Sequence, residues 1–129
     1  MTIRTGDELP ELIKHPTTRQ LVQYAGAQSD FYEIHYDSDF ARSVGFPDVI
    51  VQGLLKAAFL GQLVTDWLGE NGILKTLEVS YRGIDSPGTY RCRGSVVGRE
   101  GAELEIQIWG ESPDGTRTAV GHVSVQMIA

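Results

Sequence analysis

The 129-residue sequence predicts a single α+β domain, residues 1–129, in which one long central helix is wrapped by a curved antiparallel sheet. Its length suits one core and is too short for two well-buried ones. Residues 17 to 69 read as helical and loop-rich, whereas residues 73 to 128 alternate apolar and polar side chains between turn residues. The segment from Gly53 to Leu68 is apolar on nearly every side, so it has to be covered all round, and in so small a chain only a sheet can curl around it.

Taken in order, Thr17 or Thr18 caps a helix whose apolar positions Leu21, Val22, Tyr24 and Ala25 recur at helical spacing, and Gly26 to Asp30 ends it. A polar, aromatic loop follows from Phe31 to Asp37, then a short helix from about Ser38 to Val44, stopped by Gly45 and Pro47. The long helix carries Leu54, Leu55, Phe59, Leu60, Leu63, Val64, Trp67 and Leu68. Four alternating segments succeed it: Leu77-Val79-Tyr81, Tyr90-Cys92-Val96, Leu104-Ile106-Ile108 and Val123-Val125-Met127. Turn residues separate them at Asp85-Ser86-Pro87-Gly88, Gly98 to Gly101 and Ser112-Pro113-Asp114-Gly115, and the close spacing of the last three strands predicts an antiparallel meander. A helix gripped in this way is the hotdog arrangement.

Eleven Lys and Arg against seventeen Asp and Glu leave a net charge of −6, which argues against nucleic acid or an anionic membrane as partner, though a local basic patch could still meet an anionic ligand. The single cysteine, Cys92, cannot form an internal disulfide and fits a reducing compartment. The first residues lack the apolar core of a signal peptide, and the apolar stretch from Val49 to Leu68 contains Gln52, Lys56, Gln62 and Asp66, which suits a buried helix and not a membrane span. The expectation is a cytoplasmic soluble protein.

Asp30 and His35 are the most pointed chemical pair. Four residues of loop separate them, enough to bring a carboxylate and an imidazole to one water, where one takes a proton and the other delivers one. The alternative is that Asp30 caps the loop and His35 is a satisfied, partly buried ring. Gly53 opens the long helix, whose first-turn N–H groups lack helical partners and suit a developing oxyanion; equally, this glycine can serve close helix–sheet packing. His15, His35 and His122 have no metal spacing, and no serine elbow or phosphate loop is present, so no metal or cofactor is expected. Cys92 falls on the apolar face of its strand and reads as core. Arg82, Arg91, Arg93 and Arg99 read as solvated charge, with the phosphates of a carrier group as the other option.

The order Ser29-Asp30-Phe31-Tyr32-Glu33-Ile34-His35-Tyr36-Asp37, Phe40-Ala41, Gly45-Phe46-Pro47 and Val51-Gln52-Gly53-Leu54-Leu55 resembles the MaoC-like (R)-specific enoyl-CoA hydratases and dehydratases, which are hotdog proteins. The resemblance runs over about residues 17 to 69. It implies reversible hydration of a 2-enoyl thioester, carried by CoA or a carrier protein, to the 3-hydroxyacyl thioester. The family's catalytic Asp falls on Asp30 and its His on His35, and Gly53 falls on the helix glycine whose amide binds the thioester oxygen. Gln52 and Tyr32 border these positions as substrate-binding candidates and are also where the sequence departs from the family. Tyr32-Glu33 replaces the usual Asn-Pro, and Gln52 replaces a common histidine, which alters loop shape and substrate fit.

Asp30-Phe31, His35 and Val64-Thr65-Asp66-Trp67 with Gly69 are similar to the small catalytic subunit of actinobacterial steroid side-chain enoyl-CoA hydratases, in which a second MaoC-like chain completes the assembly. The resemblance therefore implies a homodimer or a heteromer with a related hotdog chain, and the charge balance and the polar residues of the apolar stretch leave nucleic acid and membrane out of the expected partners. Two other readings compete: a non-catalytic acyl-thioester-binding subunit of a heteromeric hydratase, and a hotdog thioesterase.

Overall fold

The computed structural model describes residues 2–128. Its elements are strand β1 (Leu12–Lys14), helices α1 (Thr18–Gln28), α2 (Ser38–Ser43) and α3 (Gly53–Leu68), and strands β2 (Gly72–Tyr81), β3 (Tyr90–Glu100), β4 (Glu103–Glu111) and β5 (Arg117–Met127). The strands form one sheet in the order β1-β3-β4-β5-β2, every neighbouring pair antiparallel. Register shifts at Leu74/Thr76, Val96/Gly98 and Gly110/Glu111 mark irregularities of the kind that raise local twist and help the sheet curl. The result is a hotdog-like half-barrel with α3 on its concave side. Among the described residues no helix is long and apolar enough to cross a membrane.

The local causes are those of the sequence. Thr17 caps α1 by accepting from the Gln20 N–H at 3.2 Å, and Asp37 caps α2 by accepting from the Phe40 N–H at 3.1 Å. On α3, Leu55, Phe59, Leu60, Leu63, Val64 and Leu68 are buried. They meet Tyr90, Cys92 and Val96 of β3, Leu104 and Ile106 of β4, and Val123 and Val125 of β5 in one core. Each fully buried aliphatic side chain contributes about 1.5–3 kcal/mol. Gly110 is required by this packing, because a Cβ there would overlap the Tyr90 phenol.

One expectation is corrected, and one strand is added. The sheet does not cover α3 all round: Leu54 is 54% exposed. On the edge strand β2, Leu77 and Tyr81 pair with the inward-facing Val123 and Ala119 yet remain 37% and 47% exposed. The apolar surplus on α3 and β2 therefore forms an open strip along one side of the half-barrel. The second difference is β1, three residues paired with β3 through Leu12↔Cys92 to Lys14↔Tyr90. So short a strand shows no alternation in sequence and is recognised only by its partner.

Candidate active site

Asp30 is positioned by the end of α1. Ser29 takes a left-handed conformation, φ 58°, and its N–H donates to the Gly26 carbonyl while the Asp30 N–H donates to the Ala25 carbonyl. This crossed pair of bonds closes the helix and turns the next side chain out of it. One Asp30 oxygen, Oδ1, accepts from the Tyr32 N–H at 3.3 Å. The other, Oδ2, lies 3.8 Å from His35 Nε2.

His35 ends a single 3-10 turn, Glu33–His35, and is buried. Its Nδ1 is 2.8 Å from the Ile50 carbonyl, and a carbonyl can only accept, so Nδ1 carries a proton. The Ile50 N–H in turn donates to the Ile34 carbonyl at 2.9 Å, fastening the two segments together. With Nδ1 committed to the carbonyl, the other ring nitrogen, Nε2, faces the carboxylate. Their separation of 3.8 Å is beyond a direct hydrogen bond, yet one water at about 2.8 Å from each can touch both. The Asp30 side chain is 42% exposed against 9% for His35, so the pair joins a solvent-reaching carboxylate to an interior ring.

Ile50 leads directly into Gly53, the first residue of α3. Among the described residues the Gly53 and Leu54 N–H groups have no hydrogen-bond partner, whereas Leu55 and Lys56 donate to the Gln52 carbonyl. A Cβ on Gly53 would stand 3.1 Å from the Tyr81 ring, so the glycine keeps this approach narrow but open. Partial burial, and to a lesser degree Tyr24, push the Tyr81 phenol above its ordinary range.

Of the flanking candidates, Tyr32 stands edge-on to His35, ring centroids 6.4 Å apart, and to Phe40 at 5.9 Å, while remaining half exposed. Gln52 is 2% exposed, and its amide donates to the Leu21 carbonyl of α1 at 2.8 Å and not to Asp30 or His35. Cys92 is buried core, and burial raises its thiol to about 12. Arg91 and Arg93 pair with Glu11, and Arg93 also with Glu111, leaving them as surface charge in ion pairs.

Two features escape sequence reasoning. The Ile50 carbonyl is backbone and has no side-chain signature. The buried pair Lys56–Asp85, at 3.0 Å, joins residues 29 positions apart, and its one signal is a lysine inside an otherwise apolar helix.

The MaoC like domain family matches residues 5–108, a span that contains Asp30, His35 and Gly53. The chain belongs to the MaoC-like domain family. This MaoC-like chain is similar to the 3-oxo-4,17-pregnadiene-20-carboxyl-CoA hydratase beta subunit of Mycobacterium tuberculosis, 34% identical over 77 residues. That match spans 60% of this chain and 59% of the relative, less than two thirds of its length. Among solved structures, a chain of the ChsH1-ChsH2 complex from Mycobacterium tuberculosis aligns with a TM-score of 0.89 at 26% identity, over 99% of this chain and 100% of that one. The (R)-hydratase from A. caviae involved in PHA biosynthesis aligns with a TM-score of 0.91 over 98% of both chains, and at 21% identity that likeness speaks for the fold alone.

Proposed function

We propose that this MaoC-like chain catalyses the reversible addition of water across the 2,3 double bond of a 2-enoyl thioester, with CoA as the carrier, in an assembly with a second hotdog chain. The observation that carries the reading is the Asp30 Oδ2 to His35 Nε2 distance of 3.8 Å, with His35 Nδ1 held on the Ile50 carbonyl. A water held by both groups loses a proton to the pair as its oxygen bonds to C3. The π electrons move toward the thioester, whose oxygen takes up charge beside the Gly53 N–H. A proton from the pair then bonds to C2 on the same face, which regenerates the starting protonation. Tyr32, half exposed beside His35, rims the acyl chain, and Gln52 supports the reading by holding the start of α3 against α1.

A steroid side-chain enoyl-CoA is the substrate class suggested by the relative named a 3-oxo-4,17-pregnadiene-20-carboxyl-CoA hydratase beta subunit. The test follows the loss of conjugated-thioester absorbance with crotonyl-CoA, longer enoyl-CoAs and a steroid side-chain enoyl-CoA. Asp30→Asn and His35→Ala are each expected to lower kcat by about 10²-fold or more with the fold retained. Unchanged turnover in both discards the assignment. The word subunit in that relative's name also favours a second reading, an acyl-thioester-binding chain whose partner does the chemistry. Under that reading Asp30→Asn remains fully active once the partner is added.

A further inference from the structure

Lys56 and Asp85 are both buried, at 2% and 6% exposure, and the hydration chemistry uses neither. The ammonium of Lys56 donates to Asp85 Oδ2 and to the Gly83 carbonyl, each at 3.0 Å, and lies 6.0 Å from the ring centroids of Tyr81 and Tyr90. Thr118 of β5 donates its hydroxyl to the same Asp85 oxygen at 2.5 Å. A buried ion pair costs much of its Coulomb energy in desolvation, and an apolar pair of similar volume packs about as stably. A cation in the first turn of a helix is also unfavourable to the helix dipole. Stability alone therefore does not account for this pair; what it supplies is direction, one loop held in one place on one helix.

The loop it holds leads to the site. The Asp85 carbonyl accepts from the Val51 N–H at 2.7 Å, and Val51 follows Ile50, whose carbonyl fixes His35 Nδ1 at 2.8 Å. Lys56 itself lies one helical turn beyond Gly53. We propose that Lys56 and Asp85 are positioning residues for His35: the pair clamps the connection between β2 and β3 onto the start of α3, and through the Asp85–Val51 bond sets the Ile50 carbonyl that selects the His35 tautomer. The hydratase reading enters only in giving His35 its use; the clamp and the tautomer are properties of the free protein.

The test reads the imidazole directly. Nitrogen-15 NMR of the full chain, with His35→Ala to assign the signal, is expected to show His35 as the Nδ1–H tautomer. In Lys56→Met/Asp85→Asn, which neutralises the pair and keeps similar shapes, His35 becomes a mixture of both tautomers and the Val51 amide exchanges at least roughly tenfold faster. Turnover of the best enoyl-CoA falls by about tenfold to a hundredfold in kcat, with KM within about twofold, as expected when a reacting group is misplaced and binding is not. A folded double variant with the wild-type tautomer overturns the proposal, whatever its turnover. If the double variant does not fold, Thr118→Val, which removes one hydrogen bond and keeps the ion pair, is expected to move the same signals the same way. Wild-type signals in that variant overturn it equally. Because no substrate is needed, a wild-type protein that stays inactive even when assembled with its partner chain would sink the hydratase reading and leave the tautomer test standing.

Discussion

Ser29 holds a left-handed backbone, φ 58°, immediately before Asp30. For a residue with a Cβ that conformation costs about 1–2 kcal/mol, and glycine relieves it while giving up more conformational entropy on folding. Ser29→Gly should therefore raise stability by about 0.5–1 kcal/mol in chemical denaturation, with the crossed helix-end bonds and Asp30 unmoved. A lower denaturation midpoint would show that the serine side chain contributes something its lack of hydrogen bonds conceals. Cys92 gives a second test at this scale. Burial lifts its thiol to about 12, and burial also lifts the Tyr90 phenol. Below the thiol's unfolded value, about 8.5, both states keep the proton and the stabilisation is complete. As pH rises toward 12 the unfolded chain loses its protons first, so stability falls across that window. Urea midpoints measured from pH 8 to 10.5 should drop, and Cys92→Ala should drop less steeply; parallel slopes would refute the burial account.

At the scale of elements, α3 divides into two faces with different energetic standing. Leu60 is fully buried, so Leu60→Ala should cost about 2–5 kcal/mol, whereas Leu54, 54% exposed, should change the isolated chain by less than about 0.5 kcal/mol when truncated. Equal losses by calorimetry in a sample shown to be monomeric would refute this division of the helix. That helix shows what a sequence discloses. Its limits, Gly53 to Leu68, were readable because a glycine opens it and apolar residues fill it. Which side the sheet leaves bare was not, since Leu54 and Leu60 are the same residue type and differ only in what a distant strand does. The nearness of Asp30 and His35 was readable because their spacing is local. The Ile50 carbonyl and the Lys56–Asp85 pair were not, because a backbone acceptor has no residue type and a pair 29 positions apart exists only after the β2–β3 connection has folded over α3.

Among the described residues the half-barrel ends on an unpaired edge, β2, which is flanked by exposed Leu77, Tyr81 and Leu54. Edges of this kind invite pairing unless charge or a bulge blunts them, and a partner laid here covers the apolar strip beside Gly53, because Tyr81 packs against that glycine. Covering the strip removes water near the Gly53 N–H, and under the proposed hydratase function an oxyanion donor there would gain most from a low dielectric. Assembly and turnover should therefore fail together. Light scattering after size exclusion should find the active protein as a dimer or as a complex with a second hotdog chain. Leu54→Lys/Leu77→Lys should release monomers that keep the wild-type circular dichroism and lose about tenfold or more in turnover. An active wild-type monomer, or a double variant that stays assembled and active, would separate the edge from the chemistry.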